Sequence, residues 1–314
     1  MKKDKVGKYI NTLNGRLYFY LVFNTESAGK EKEECGLVTI IISSQILYRQ
    51  APFIMEPAME QITMDNDLQY KIVRPDESLS DFVEYFWFLH NRSGSDKDTT
   101  GLPDGLVDIS LSKSATEPFR ILQLGGLTQY EHATIPAGTL IFCISFKLLA
   151  VEYIIGEPVS GIVDSGKCLP VDFWGFSEND LQDFDLFVQK ATRKIQSLIP
   201  EDIDGRKRKL FDLIYTTKGS ITVKELSAAV FWSSRQINRY FNRQFGISLK
   251  AYCNILRFRA SLEHIAKGQL FPEEVFFDQN HFIKEVKKFS GVVPKELSKN
   301  KNDRFILLSV MKRK

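Results

Sequence analysis

Two capping boxes stand eleven residues apart, Thr222-Val-Lys-Glu225 and Ser233-Ser-Arg-Gln236. In each, a hydroxyl can accept the N–H three residues on while the Glu or Gln side chain reaches back to the first N–H, so each marks a helix start. Only about two turns of helix fit between one start and the next, so the chain must break near Phe231-Trp232 and begin again. The first helix carries Val223, Leu226, Ala229 and Val230 as its apolar positions. The second places Ile237, Tyr240, Phe241 and Phe245 on one side and Arg235, Gln236, Asn238, Arg239 and Arg243 on the other, and closes at Gly246. A short helix, a tight connection and a second helix with an Arg/Gln/Asn face is the plan of a helix-turn-helix. The same spacing fits an αα-hairpin whose polar face is merely solvated, so spacing alone leaves both readings open.

Charge favours the first. The net charge of +3 over 314 residues is a cancellation. Residues up to Gly205 hold 19 Lys+Arg against 30 Asp+Glu, a net −11, and the rest hold 23 against 9, a net +14. A basic last third joined to an acidic first part is suited to meeting a polyanion, because Lys and Arg release counterions when they pair with phosphates. The chemistry suits duplex DNA: Arg grips guanine O6 and N7 with two hydrogen bonds, and Asn or Gln does the same for adenine N6 and N7.

Other classes find little support. Cys35, Cys143, Cys168 and Cys253 form no CxxC pair, so neither a disulfide framework nor a zinc site is indicated. His90, His132, His264 and His281 show no HxH or HxxxH spacing. Asp104 and Asp108 could form a carboxylate pair, but turn chemistry explains Asp104 better. No glycine-rich phosphate loop and no GxSxG motif occurs, so an enzyme reading starts without a site and no cofactor is expected. The start, Met1-Lys-Lys-Asp-Lys5, lacks the apolar core of a signal peptide, and the stretch from Gly36 to Leu47 is too short to span a bilayer. A cytoplasmic protein without membrane contact is expected.

Residues 1–63 show no clear period, and Met59 or Met64 could be the true start of translation. Residues 64–205 read as a β-rich domain. Leu79 to Leu89 runs from a short turn into an aromatic strand, with Tyr85 to Phe88 as sheet core or, less favoured, the lining of an effector pocket. Pro103-Asp-Gly105 is a turn, and Leu106 to Leu111 alternates as a half-buried strand should. Apolar runs at 119–124 and 139–146 add strands, and Leu148 to Ile155 and Asp180 to Ile199 are helix candidates. Several short strands at this spacing favour a small sandwich or barrel. A helical domain follows over 206–300, with a basic tail over 301–314.

Three blocks in the last third carry a family resemblance. Ser233 to Gly246, then Ile247 to Ile265 with its Leu256-Arg257 pair, then Phe276-Phe-Asp-Gln-Asn-His-Phe-Ile-Lys-Glu-Val-Lys-Lys-Phe-Ser-Gly291-Val-Val-Pro294 resemble AraC/XylS-type transcriptional regulators over residues 207–300. More weakly, Leu79 to Trp87, Leu102 to Asp108 and Leu124 to Gln129 resemble the β-rich sensor domain found before this module in a bacterial subgroup. The resemblance implies an α+β multidomain chain: a β-rich, cupin- or barrel-like N-terminal domain, then an all-α domain with two helix-turn-helix units on a linker helix. The first reading head would use Ser234, Arg235, Gln236, Asn238 and Arg239, with Arg243 on the same face. The second would use Gln279, Asn280, His281 and Lys284, with Lys287 and Lys288 as phosphate partners and Asp278 as N-cap. The second unit departs from the family: Gly268 to Phe277 contains Pro272 and leaves room only for a helical stub at 273–277, so this unit is expected to be shortened. The implied partners are double-stranded DNA, RNA polymerase, and a small-molecule effector or a second copy bound through the β-rich domain. The alternative is an effector-binding or protein-interaction module whose DNA-binding half has degenerated.

Overall fold

The computed structural model describes residues 68–271 and 278–312, apart from the side chains at 306, 307 and 310, together with the backbone of strands at 7–13, 16–23, 34–41 and 60–65. The start-site expectation for residues before Met64 and the stub expected at 273–277 lie outside the residues whose side chains are described.

Strands Gly7–Leu13 (β1), Arg16–Phe23 (β2) and Glu34–Ile41 (β3) form one antiparallel sheet. A second sheet is built from Glu60–Asp65 (β4), Leu68–Val73 (β5), Val83–Asn91 (β6), Val107–Lys113 (β8), Arg120–Leu124 (β9), Leu140–Phe146 (β11) and Gly166–Leu169 (β12). Its order is β12-β9-β8-β11-β6-β5-β4, with every neighbour antiparallel. Lys97–Gly101 (β7) and Glu131–Ile135 (β10) pair with each other. The chain thus opens with a β-rich part and continues into helices, as expected.

The central strands correct one expectation. The alternation from Leu106 to Leu111 implied one wet face, yet Asp108, Ser110 and Ser112 are as inaccessible as Val107, Ile109 and Leu111. The polar set shares its side with Trp87, Cys143 and Leu124, and a second layer that includes Ala133 and Ile135 of β10 covers that side. Alternation identified the more polar face; the second layer decided that it would be dry. Trp87 Nε1 finds a partner there in Ser145 Oγ at 2.9 Å. Asp104 does what turn chemistry requires, accepting the Leu106 N–H at 2.9 Å.

After β11 a π-helical stretch, Val151–Ile155, ends at Gly156, and the first long helix is Phe184–Leu198 (α1). α1 starts four residues later than Asp180, because Asp180 closes a separate capping box with Ser177 while Asp183 accepts the Asp185 and Leu186 N–H groups. Gly205–Thr216 (α2), Val223–Val230 (α3), Ser234–Phe245 (α4), Leu249–Ala266 (α5), Gln279–Ser290 (α6), Pro294–Lys299 (α7) and Ile306–Lys312 (α8) follow. The basic end of the chain packs onto the sheets: Phe305 and Leu308 are buried, and Thr100 N and Thr99 Oγ1 both donate to the Arg304 carbonyl.

The apolar core does not stop at residue 205. One cluster runs from Phe86, Phe142 and Phe187 to Phe211, Phe241 and Tyr252. A second joins Trp87, Leu89 and Ile141 to Phe258, Phe282 and Phe289. Polar groups cross the same junction. Tyr252 Oη lies 3.1 Å from the Gly105 carbonyl and 3.0 Å from Tyr215 Oη, which in turn accepts the Leu148 N–H at 2.9 Å. Burial pushes the Tyr215 phenol up to about 12. Burial and the neighbouring Tyr215 raise Tyr252 well above the ordinary tyrosine value. Both therefore stay protonated at neutral pH.

Candidate nucleic-acid interface

The two capping boxes form as the sequence requires. Thr222 Oγ1 accepts the Glu225 N–H at 3.2 Å, and the Glu225 carboxylate accepts the Thr222 N–H at 2.8 Å. That backbone bond, then the Thr222 hydroxyl, hold the Glu225 carboxyl below its ordinary value. Ser233 and Gln236 repeat the pattern at 3.3 and 2.8 Å. Between them Phe231 ends α3 with φ +55°, and Ser227 Oγ pins the turn by donating to the Trp232 carbonyl at 2.5 Å. The αL conformation is costly for a bulky residue, and the Phe231 ring is 87% exposed.

α4 buries Ile237, Phe241 and Phe245. The Phe241 ring lies 5.9 Å from Phe211, 5.1 Å from Phe245 and 5.8 Å from Tyr252, so the helix is clamped between α2 and α5 by aromatic contacts. Its opposite face presents Ser234, Arg235, Gln236, Arg239 and Arg243 to solvent, with Asn238 half-buried.

The structure separates these residues by what they already do. Gln236 Oε1 accepts from both the N–H and the hydroxyl of Ser233 at 2.8 Å, so the cap holds one end of the amide. Asn238 Nδ2 donates to the Ser234 carbonyl at 3.0 Å. A bidentate contact to adenine needs the amide oxygen and nitrogen together, so either residue must give up an intrahelical bond to make one. Exposed and outside this capping network, Arg235, Arg239 and Arg243 are the better placed of the predicted set to meet a nucleic acid.

α6 repeats the plan. Asp278 is its N-cap, as expected, accepting the Asn280 N–H at 2.9 Å. Phe282, Val286 and Phe289 are buried, with Phe282 5.9 Å from Phe271 and Phe289 5.1 Å from Phe258. Gln279, Asn280, His281, Lys284, Lys287 and Lys288 are exposed. Lys288 Nζ sits 4.8 Å from the Phe289 ring centroid, holding the ammonium along the helix surface. Both six-residue sets thus lie on the solvent faces of two twelve-residue helices that pack on α5.

Part of the basic excess is spent inside the protein. Lys207 pairs with Glu152 at 2.5 Å and Arg208 with Asp81 at 2.9 Å, while Arg206 pairs with Asp204 at 2.8 Å and stacks on Trp232 at 5.3 Å. The run that marks the change of charge sign thus ties α2 to its acidic neighbours, while the cations of α4 and α6 stay exposed. No group of three or more His, Cys, Asp or Glu able to hold a metal ion occurs among the described residues. No helix among them is long and apolar enough to cross a membrane. Sequence reasoning missed Arg259 and Glu84 as partners, and the contacts of Tyr130 and Asp164 described below; no local motif marks any of them.

Residues 71–167 match a family described as Domain of unknown function (DUF6597), which covers under a third of the chain. No curated protein matches. Among solved structures the chain is similar to ToxT from Vibrio cholerae at 12% identity and a TM-score of 0.36, with 73% of this chain and 97% of that chain covered. It is also similar to ToxT from Vibrio cholerae O395 bound to (E)-4-(8-methylnaphthalen-1-yl)but-3-enoic acid, at 12% identity, TM-score 0.37, and 77% and 99% coverage. A third is unsaturated fatty acid bound wild-type ToxT, at 12% identity, TM-score 0.34, and 74% and 95% coverage. These likenesses are remote, and the reading of the site rests on its own geometry.

Proposed function

We propose that the protein is a sequence-specific DNA-binding transcriptional regulator that reads the major groove through α4 and α6. One observation carries this reading. Two helices of equal length pack on α5 through aromatic stripes and turn capped N-termini and Arg, Gln, Asn, His and Lys side chains to solvent. A solvated αα-hairpin has no need of two such faces, whereas a helix entering a groove needs side chains that can bond base edges and phosphates. Arg235 and Gln236 lie in the first turn of α4, where side chains meet base edges. Lys287 and Lys288 lie in the last turn of α6 and suit phosphate. Control through the β-rich domain by a small-molecule effector or by dimerisation, and contact with RNA polymerase, belong to the same proposal.

The test is a gel-shift titration of the full chain against duplexes enriched from a random pool and against scrambled controls, at two salt concentrations. The expected result is retardation that prefers the enriched duplex and weakens steeply with salt. No retardation at low salt, or retardation indifferent to sequence, overturns direct readout and favours the alternative of an effector-binding or interaction module.

A further inference from the structure

Both candidate reading helices rest, at their C-terminal ends, on the β-rich domain. Gly246 closes α4 with its backbone against the loop at 156–165: a Cβ there would lie 2.6 Å from Val163 Cγ2 and 2.9 Å from the Ser160 carbonyl oxygen. Val159 N donates to the Gln244 carbonyl at 2.8 Å, and Tyr240 Oη to Glu152 Oε2 at 3.0 Å. Gly291 closes α6 beneath the Tyr130 ring, where a Cβ would lie 2.8 Å from Cζ and 2.9 Å from Cε2. At Gly246 a Cβ would meet the Ser160 backbone, at Gly291 it would push the Tyr130 ring aside, and both positions have the positive φ that glycine adopts without strain.

The two supporting loops are tied to each other. Asp164 Oδ1 accepts the Thr128 N–H and Oδ2 the Thr128 hydroxyl, each at 2.6 Å. Asp164 N donates to the Gly126 carbonyl at 3.2 Å, and Gly125 N to the Ser165 carbonyl at 2.9 Å. Asp164 itself is held at φ +53°, in the left-handed region, where both its carboxylate oxygens are used.

We propose that the loops at 125–130 and 156–165 form one bracket that sets the separation of α4 and α6, with Asp164, Thr128 and Tyr130 as positioning residues for two-site DNA recognition. This rests on the DNA-reading function above. Two heads on one face of a duplex must match grooves about 34 Å apart, and base pairs rise only about 3.4 Å, so a small shift between heads changes register. The bracket touches both helices at their C-terminal caps and leaves their N-terminal turns uncovered. It can therefore fix the spacing without covering Arg235 or Gln279.

The test uses the full chain and its Asp164→Ala, Asp164→Asn and Tyr130→Ala variants. Duplexes are selected from a random pool, and thermal unfolding confirms that each variant is folded. The wild type should enrich two sequence blocks at one fixed gap, and a five-base-pair insertion should weaken its binding at least about tenfold, because the second head can no longer engage. Asp164→Ala and Tyr130→Ala should select the same blocks at scattered gaps and tolerate the insertion, with binding to a single block unchanged. Asp164→Asn keeps an acceptor for the Thr128 N–H and suits the left-handed backbone, so it should retain the fixed gap. A two-block wild-type motif with the same sharp gap in Asp164→Ala and Tyr130→Ala overturns the bracket and leaves the DNA reading standing, as does a wild-type motif of one block. No enriched motif at all overturns the DNA reading itself. Tyr130→Ala removes a half-buried ring that also meets His132 edge-on, and leaves the Asp164–Thr128 bonds in place, so the question is answered even where Asp164→Ala does not fold.

Discussion

The Arg259 guanidinium of α5 lies 2.5 Å from the Glu84 carboxylate of β6, with the arginine side chain 1% exposed. The same guanidinium donates to the Asp104 carbonyl at 3.3 Å, and Lys147 approaches Glu84 at 3.6 Å. A charge is thus carried from the helical part into the face of the β-rich part and neutralised there. Apolar packing alone would allow the two parts to slide; this pair admits one register.

Removing one partner strands the other. Arg259→Ala should cost about 3 kcal/mol, because Glu84 then loses its hydrogen-bonded partner and keeps only the charges of Lys147 and Arg74 at a largely dry junction. Arg259→Met combined with Glu84→Leu should recover most of that loss, since a buried ion pair replaced by apolar groups of similar volume is often neutral. Urea unfolding monitored by tryptophan fluorescence checks both. A double variant no better than Arg259→Ala would mean that the pair contributes more than its own desolvation.

The same pair predicts an acid limb. Burial pushes the Glu84 carboxyl up, but Arg259 and Lys147, with the Arg259 hydrogen bond, outweigh it and hold the group below its ordinary value. A carboxylate with a depressed folded pKa contributes stability that is complete above the unfolded value, about 4.3, and is lost as pH falls through the folded value. Glu84→Gln should therefore be less stable at neutral pH and show a shallower loss of stability below about pH 4.3. Parallel acid limbs for the two proteins would assign the transition to other carboxylates.

Phe231 offers a stabilising change. Its left-handed backbone costs a non-glycine residue roughly 1–2 kcal/mol, partly offset by the entropy a glycine loses on folding. Its ring is exposed, so little packing is lost on removing it. Phe231→Gly should raise stability by about 0.5–1 kcal/mol, read as a higher Tm by calorimetry. An unchanged or lower Tm would show that the ring holds the turn in place.

On α4, Arg235→Ala should change which duplex is preferred, by roughly 1–3 kcal/mol at one base position. Arg239→Ala should weaken all duplexes alike and reduce the salt slope by about one. Gln236→Ala should instead cost stability, roughly 0.5–1 kcal/mol, through the lost capping box, before any effect on site preference. Competition binding on a set of single-base variants separates these outcomes, and equal losses on every sequence from all three would remove the base-reading assignment.

Local information was enough for the helices α3, α4 and α6. The capping boxes at Thr222 and Ser233, the Asp278 N-cap and the Gly246 and Gly291 stops act within four residues of themselves, so their partners are legible in the chain order. The aromatic stripe of α4 follows from the helical period alone. The strands around Tyr85 to Phe88 and the Pro103-Asp-Gly105 turn were legible for the same reason.

What the tertiary structure decided involves residues far apart in sequence. Arg259 and Glu84 are 175 positions apart, and nothing near either one announces the other. Alternation in β8 could not reveal that a second layer would cover its polar face, and a basic run at 206–209 could not reveal that Glu152 and Asp81 would claim it. A side chain's local geometry is set by its immediate neighbours along the chain. Whether it meets water, a carboxylate or a phosphate is set by which surfaces the fold brings together.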